Sequence, residues 1–414
     1  MRRAVLLALL LSLLPSSTFA QAVAPPAAGI EVVSQSQTAH FPTEIVFLLN
    51  VRDEANLVRA TLRLKVTGQA VITANQVRFS PARGISLRHS WDLQKYYLPP
   101  GVDLEYHWLL EDAAGRTLRT QPVTFPLRDD RFAWRSTRAG TLEVNWYAGD
   151  QAFGEALLGA GRAALDQLAA DAGARSDGQV RVYIYGNQRD LLSALRPSAQ
   201  EWTGGVAFSA EGLVLVSVEA SQSGLDYGRR VLPHELTHVV VGRATENPYG
   251  DLPRWLDEGL ATYAEGELDG TFQAALRDAV RSNQLISVRS LSANFPTDPA
   301  AARLSYAQSQ SLVAFLIGQF GRERVQRLLA IFKDGATADE ALQGAFGFDS
   351  DGLEVAWRAA IGAPPAPPLD QAAAEPAQAQ GLPLLPAAPL ALALVLVLLA
   401  VLLLARRRST KSQA

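Results

Sequence analysis

The chain has no cysteine among its 414 residues. Disulfide bonds and thiolate metal ligands are therefore excluded, so any bound metal must be held by nitrogen and oxygen atoms. Histidine is scarce, at five residues, and lysine occurs only four times, with no run of basic residues between the two ends of the chain. Because nucleic-acid binding rests on clustered basic side chains, this composition argues against a nucleic-acid partner.

Both ends of the chain are apolar. Residues 1–20 combine a basic start, an apolar run too short to cross a bilayer and small residues at the end, which predicts a secretory signal peptide. An uncharged run at 382–405 precedes three arginines. We therefore expect a single transmembrane helix at 384–405 and a cytoplasmic basic tail at 406–414. A processed sorting signal would have a similar pattern.

The part between these ends is acidic. The chain has a formal net charge of −3, and removing the six positive charges of the two ends leaves about −9. The Pro/Ala-rich residues 363–383 contain too few large apolar side chains to fold, which predicts a linker. The expectation is a single-pass protein of the cell membrane, with its N-terminal ectodomain on the extracytoplasmic side.

Residues 21–130 have the pattern of an all-β region. Short β-rich segments alternate with Pro, Gly, Asn and Asp, among them EIVFLLNV, VRATLRLKV, ISLRHSW and LEYHWLLED. Several short strands without intervening helical patterns predict an immunoglobulin-like sandwich. Its histidines, His40, His89 and His107, lie far apart in the sequence, and we interpret them as structural or exposed.

Residues 131–362 have a different pattern, in which strands come first and helices follow. The predicted elements are strands at 141–148 and 180–186, helices at 151–173 and 189–195, a strand pair at 206–220 and helices from 225 onward. The absence of a regular βαβ alternation indicates the α+β class for the whole ectodomain.

His234, Glu235 and His238 form a HExxH pattern, which arises by chance in roughly three of a thousand such chains. Residues i and i+4 of a helix share one face, so both histidines can reach one ion. Glu235 lies beside that face, where it can accept a proton from water. Because proline is tolerated only in the first turn of a helix, Pro233 predicts a helix that begins near Leu232, or a separate turn before it.

A catalytic metal needs a third protein ligand, and the segment LPRWLDEGLATYA offers Asp257 and Glu258. Helical phase does not decide between them, because both acids lie away from the apolar stripe of the predicted helix. Side-chain length and neighbours favour Glu258, whose i+3 and i+4 residues, Ala261 and Thr262, are small. Two histidines and a glutamate leave one position for water, which is the arrangement of a catalytic zinc site.

The two segments HELTHVV and LPRWLDEGLATYAEG together resemble the gluzincin metallopeptidases, in particular their bacterial peptidase-MA-like branch. The resemblance covers about residues 135–362. It implies a gluzincin-type peptidase domain with one Zn²⁺ per chain, bound by His234, His238 and Glu258. It also implies that Glu235 is the general base.

The same resemblance concerns three further parts of the chain. It implies a mixed sheet whose edge strand, GLVLVSV at 212–218, binds extended peptide by strand addition. The segment RLSYAQSQSLVAFLIGQFG resembles the helix that follows the site in this family. Tyr306 in it is a candidate for stabilising an oxyanion, although a core tyrosine fits the same helical spacing. Arg303 is a candidate anion contact, and Thr262 is a candidate supporting group.

Two hypotheses follow. The first is a membrane-anchored, extracytoplasmic zinc metallopeptidase that cleaves peptide or protein substrates, with Glu235 as the general base. The alternative is a non-catalytic cell-surface binding or adhesion protein that keeps a metallopeptidase-like fold. An intact Glu235 favours the enzyme, because metal binding alone has no use for this carboxylate.

Overall fold

The computed structural model describes residues 29–175, 178–196 and 204–366. The predicted signal peptide, transmembrane helix and basic tail lie outside these residues, as does most of the predicted linker. None of the helices within the described ranges is long and apolar enough to cross a membrane.

The chain divides into two compact units, Met1–Leu353 and Glu354–Ala414. In the second unit the structure describes residues 354–366, where the Arg358 guanidinium donates to the Glu354 carboxylate at 2.8 Å.

The N-terminal region is all-β, as predicted. Its strands are β1 (Glu31–His40), β2 (Glu44–Val66), β3 (Thr73–Val77), β4 (Ala82–Asp92), β5 (Asp103–Asp112), β6 (Thr117–Arg119) and β7 (Val123–Pro126). The first half of β2 pairs antiparallel with β1 and β4, and its second half pairs with β3 and β5. All seven strands thus form one hydrogen-bonded sheet through β2. The immunoglobulin-like arrangement stays a prediction.

Strand β2 is longer than the sequence pattern indicated. EIVFLLNV and VRATLRLKV were expected to be two strands, but they form one strand of 23 residues. The polar residues between them stay in the strand, because Asp53 turns inward and its carboxylate accepts from the Arg116 guanidinium at 2.9 Å. An ion pair between the buried Asp53 carboxylate and the partly exposed Arg116 guanidinium therefore lies where the turn was expected.

A second, five-stranded sheet follows. Its strands are β8 (Arg135–Ala139), β9 (Leu142–Trp146), β10 (Val180–Tyr185), β11 (Gly205–Phe208) and β12 (Leu213–Ser217), in the order β11-β12-β10-β9-β8. The central strands β9, β10 and β12 are parallel, whereas β8 and β11 are antiparallel to their neighbours. Helix α1 (Gln151–Asp171) connects β9 to β10. The sequence pattern predicted the two strands and the helix of this βαβ unit but not their parallel pairing, and it also predicted the strand pair β11–β12.

Both faces of the second sheet are buried, as the alternation along β10 shows. Val182 and Ile184 belong to the apolar core that the sheet shares with its helices. Tyr183 and Tyr185 belong instead to the core of the N-terminal strands. The two cores meet the sheet from opposite sides, because successive side chains of a strand point to opposite faces. The N-terminal region therefore covers one face of this sheet.

Helices make up the rest of the described chain. They are α2 (Gln188–Ala194), α3 (Gln222–Thr245), α4 (Arg254–Ala264), α5 (Gly270–Ser282), α6 (Val288–Leu291), α7 (Pro299–Phe320), α8 (Arg322–Lys333), α9 (Ala338–Phe346) and α10 (Ser350–Ala360). Helices α1 and α3 pack on the second sheet, and α4 lies between α3 and α7.

Helix α3 continues through Pro233 instead of starting beside it. It begins after the N-cap Ser221, so the expected start near Leu232 was wrong. Proline removes one helical hydrogen bond, since it has no N–H. Leu232 and Leu236 on either side are buried in the core below the second sheet, and this packing holds the helix across the proline. The HExxH pattern consequently lies in mid-helix.

Gly259, next to Glu258, sets how closely α4 and α7 approach. A Cβ atom at Gly259 would lie 2.5 Å from the carbonyl oxygen of Ser309, and the backbone of a packed helix cannot move away cheaply. We expect Gly259→Ala to lower the free energy of unfolding by about 1–3 kcal/mol. Gly318→Ala on α7 is the control, because no heavy atom lies within 4 Å of its Cβ position. Urea unfolding of both variants measures the difference, and equal stabilities would contradict this account.

Candidate active site

A cleft of about 1460 Å³ runs along α3, between the strand β11 and the helices α4 and α7. Its lining includes the histidines and the glutamate of the HExxH pattern, together with Glu258 and Tyr306. The structure therefore brings the predicted site residues to one place. The histidines of the N-terminal strands, His40, His89 and His107, do not line this cleft.

His234, His238 and Glu258 converge on one point. The two Nε2 atoms are 3.2 Å apart, and Glu258 Oε2 lies 3.5 Å from Nε2 of His234 and 3.6 Å from Nε2 of His238. Tetrahedral ligands at 2.0–2.1 Å from a zinc ion are separated by about 3.3 Å. The three atoms therefore have the spacing of three ligands around one ion.

The outer nitrogens of both histidines contact carboxylates. His234 Nδ1 lies 2.7 Å from Glu265 Oε1, and His238 Nδ1 lies 2.9 Å from Asp257 Oδ1. A carboxylate that accepts from Nδ1–H leaves the lone pair on Nε2, which is the tautomer that binds metals. Asp257, the alternative ligand considered from the sequence, thus contacts the outer nitrogen of His238, while Glu258 faces the centre.

The two oxygens of Glu258 have different surroundings. Oε1 accepts from the Arg254 guanidinium, one helical turn earlier on α4. Oε2 is buried and has no hydrogen-bond partner among the residues that the structure describes. Burial raises the pKa of Glu258, but His234, His238 and Arg254 outweigh it and hold the pKa below its usual range. The carboxylate is therefore charged, with one free oxygen aimed at the two imidazoles.

The carboxylates around the two histidines stabilise positive charge at this point. Burial lowers the pKa of His234, but the carboxylates of Glu258 and Glu265 outweigh it and raise the pKa to about 10. The two imidazoles and one carboxylate are a donor set typical of zinc. A buried carboxylate oxygen without a partner is costly unless a cation satisfies it. The residues present therefore fit a zinc ion.

Glu235 lies beside the three ligands, against the edge of the sheet. A Cβ atom on Gly205 of β11 would lie 2.5 Å from Glu235 Oε1, so the glycine makes room for this carboxylate. Burial raises the pKa of Glu235, while His234 and His238 oppose the shift. A carboxylate with a raised pKa is a stronger base at neutral pH. Its position and basicity suit proton transfer better than metal binding.

The other predicted site residues differ in their placement. Tyr306 lines the cleft, and burial together with the charge of Glu258 raises its pKa to about 12. Its ring also packs edge-on against Phe295, with centroids 5.2 Å apart. Arg303 is exposed and lies outside the lining of the cleft. Thr262 is buried in α4, and its hydroxyl has no hydrogen-bond partner within the described part of the chain.

The edge of the second sheet differs from the expectation. GLVLVSV was expected to be the edge strand, but β12 lies between β10 and β11, and β11 forms the edge. Leu213 and Leu215 face one core while Val214 and Val216 face the other. Such a continuous apolar run is typical of a central strand. The edge beside the cleft is therefore the glycine-containing strand β11.

Sequence reasoning missed the supporting roles of Arg254, Asp257 and Glu265. Arg254, Asp257 and Glu258 occupy positions i, i+3 and i+4 of α4, which places them on one side of that helix. Arg254 lies 3.6 Å from Asp257 as well as contacting Glu258. The i, i+3, i+4 spacing could have predicted that these three side chains lie together. The contact of Glu265 with His234 could not be predicted in this way, because it depends on how α3 and α4 cross.

A mixed sheet, a helix bearing His-Glu-x-x-His and a glutamate on the next helix together define a metallopeptidase-like fold. Residues 160–363 match the peptidase MA superfamily, and this part of the chain belongs to that superfamily. The N-terminal strands lie outside the match. No curated protein matches the chain.

Several solved structures are similar to parts of the chain. OgpA from Akkermansia muciniphila is 12% identical with a TM-score of 0.21, over 24% of this chain and 28% of that protein. A polysaccharide deacetylase from Bacillus cereus is 10% identical with a TM-score of 0.22, over 42% of this chain and 58% of that one. A β-1,3-glucan binding domain of carbohydrate-binding module family 56 is 14% identical with a TM-score of 0.16. The chain thus spans about a quarter of OgpA.

Proposed function

We propose that this protein is a zinc metallopeptidase that hydrolyses peptide bonds on the extracytoplasmic side of a membrane. The observation that carries the proposal is the convergence of two imidazole nitrogens and one buried, unpartnered carboxylate oxygen, with Glu235 beside them. The peptidase MA match over residues 160–363 supports the same reaction class. Export and anchoring rest on the apolar ends of the sequence.

His234, His238 and Glu258 would hold the zinc ion, which supplies a Lewis acid and lowers the pKa of a water molecule. Glu235 accepts a proton from the attacking water while the oxygen of that water forms a bond to the carbonyl carbon of the substrate. Glu235 then returns the proton to the amine nitrogen as the C–N bond breaks. The Tyr306 hydroxyl donates a hydrogen bond to the carbonyl oxygen of the substrate, where negative charge develops.

The substrate is an extended peptide that pairs with the edge strand β11. The cleft runs beside this strand, and Gly205, Val206 and Ala207 line it. An edge strand offers unpaired N–H and C=O groups, to which a peptide adds as a further strand. Among the described strands β11 pairs only with β12. A peptide would therefore pair with the other edge of β11, which faces away from the sheet.

The enzyme hypothesis is preferred to a non-catalytic binding protein because of Glu235. This carboxylate is 7% exposed, and burying an ionisable group lowers stability unless something compensates. A protein that only binds a partner gains nothing from this arrangement, whereas a hydrolase needs a base next to its metal.

Metal analysis of the purified full chain tests the proposal. We expect about one zinc ion per chain, removed by a chelator and restored by added zinc, with hydrolysis of a quenched fluorescent peptide pool lost and regained in parallel. Glu258→Ala should lose most of the zinc, because it removes one of three ligands. Glu267→Ala is the matched control, since Glu267 is exposed outside the cleft. A folded wild-type chain that takes up no zinc would overturn the proposal.

A further inference from the structure

Two polar side chains of the cleft have no role in the proposed chemistry. Tyr227 and Arg230 lie on α3 at positions i and i+3, followed by His234 at i+7. Residues with this spacing share one face of a helix, and all three line the cleft. Tyr227 and Arg230 therefore extend the surface of the metal site along α3 toward the start of that helix.

Neither donor has a partner within the part of the chain that the structure describes. The Arg230 guanidinium and the Tyr227 hydroxyl form no hydrogen bond or ion pair there, although both are accessible from the cleft. The other arginines of the lining are engaged: Arg254 contacts Glu258, and Arg243 donates to the carbonyl oxygen of Ser209 at 2.9 Å. Among the described residues, Arg230 is thus the one arginine of the cleft lining without a hydrogen bond or ion pair.

The carboxylates near Arg230 already have partners of their own. Glu265 contacts His234 at 2.7 Å. Asp269 caps α5, where it accepts from the Thr271 hydroxyl at 2.6 Å and from the Phe272 N–H at 3.1 Å. Within the described residues neither carboxylate forms an ion pair with Arg230, although the Thr271 hydroxyl and, to a smaller extent, the charge of Arg230 lower the pKa of Asp269. The guanidinium can therefore also bind a carboxylate from outside.

Tyr227 and Arg230 line the cleft beside the edge strand β11. A Cβ atom on Gly204 would lie 2.4 Å from the Tyr227 hydroxyl oxygen, so this hydroxyl sits over the residue that precedes β11. Arg230 lies four positions before His234 on α3, which corresponds to a rise of about 6 Å along the helix axis. An extended peptide advances about 3.3 Å per residue. A group bound at Arg230 would thus belong to a residue about two positions from the bond at the metal.

We propose that Arg230 and Tyr227 form a carboxylate-binding subsite, and that the enzyme prefers substrates with an acidic group about two residues from the scissile bond. The inference rests on the proposed peptidase function. A guanidinium binds a carboxylate through two parallel hydrogen bonds, which gives geometric selectivity as well as affinity. The Tyr227 hydroxyl donates a third. The carboxylate comes either from a glutamate side chain or from the C-terminus of the substrate.

Matched peptides test the subsite. The full chain is assayed with quenched fluorescent alanine peptides that carry one glutamate or one glutamine at each position near the cleaved bond, each with a C-terminal acid or amide. We expect the preferred glutamate peptide, or the preferred C-terminal acid, to exceed its neutral counterpart in kcat/KM about tenfold or more, mainly through KM. Arg230→Gln should bring this ratio close to one, mainly by raising KM for the acidic peptides.

The neighbouring arginine supplies the control. Arg229 donates to Asp226 at 2.9 Å and does not line the cleft, so Arg229→Gln should keep the full preference. Tyr227→Phe should reduce the ratio less than Arg230→Gln does. A preference that survives in Arg230→Gln, or a wild type with no acidic preference at any position and no preference for a free C-terminus, would overturn the subsite.

A binding measurement separates this inference from the proposed function. The same peptides are titrated onto the zinc-loaded Glu235→Gln chain, with and without Arg230→Gln, and dissociation constants are compared. Tighter binding of the acidic peptides that depends on Arg230 supports the subsite even if no peptide is ever cleaved, in which case only the peptidase proposal fails. Equal binding of acidic and neutral peptides rejects the subsite whether or not hydrolysis occurs.

Discussion

Glu235→Gln is expected to reduce peptide hydrolysis about 10²–10⁴-fold while the chain keeps its zinc, the range that general base catalysis contributes. Glutamine has nearly the same shape, so it fits the space beside Gly205, but its amide cannot accept the proton of the attacking water. The loss should appear in kcat, because Glu235 acts on the reacting water and does not hold the substrate.

Two measurements make this prediction specific. Zinc content of the variant separates a loss of the base from a loss of the metal, since Glu235 is not one of the three converging ligands. Glu246→Gln serves as the control, because Glu246 also lines the cleft but is exposed. Unchanged hydrolysis in Glu235→Gln would remove this residue from the mechanism. Loss of zinc in that variant would instead assign it a structural role at the metal.

Removing residues 29–126 is expected to prevent the rest of the chain from folding. Four side chains on one face of the second sheet, Tyr183, Tyr185, Leu213 and Leu215, belong to the core of the N-terminal strands. Burying each contributes about 1.5–3 kcal/mol, so uncovering all four removes on the order of 6–12 kcal/mol as an upper estimate. That equals the whole stability of a typical domain, about 5–15 kcal/mol.

A point substitution tests the same contact more gently. Gly101 has a φ of +104°, and a Cβ atom there would lie 2.5 Å from the ring of Tyr183. Gly101→Val should therefore lower the melting temperature strongly, whereas Gly84→Val should not, because no heavy atom lies within 4 Å of its Cβ position. Circular dichroism of the truncated chain and of both variants provides the measurement. A truncated chain that melts cooperatively at the wild-type temperature would show that the two sheets fold independently.

Local patterns predicted much of the site. His234 and His238 were paired by their spacing alone, because helix geometry places residues four apart on one face. Glu258 was favoured over Asp257 by the size of its helical neighbours, and the structure places its Oε2 within 3.6 Å of both imidazoles. Four strands of the second sheet, β9, β10, β11 and β12, were visible in runs of β-branched and aromatic residues, whereas β8 was not predicted.

Errors arose where one segment had to be placed against another. Pro233 was expected to lie near a helix start, since proline lacks the N–H of an interior position, but burial of Leu232 and Leu236 carries α3 through it. GLVLVSV was expected at the edge of the sheet, but the core on each face places β12 inside. In both cases packing outweighed the local preference.

The sequence by itself determined the residue types of the proposed metal site and of its candidate base, and the lack of cysteine excluded thiolate ligands. These properties follow from side-chain identity and from spacings within one helix, which covalent geometry sets. Tertiary structure alone decided which strand borders the cleft, which carboxylates contact His234 and His238, and which arginine of the lining has no partner among the described residues. Such relations join residues from separate elements, and only the burial of both faces of the second sheet fixes how those elements meet.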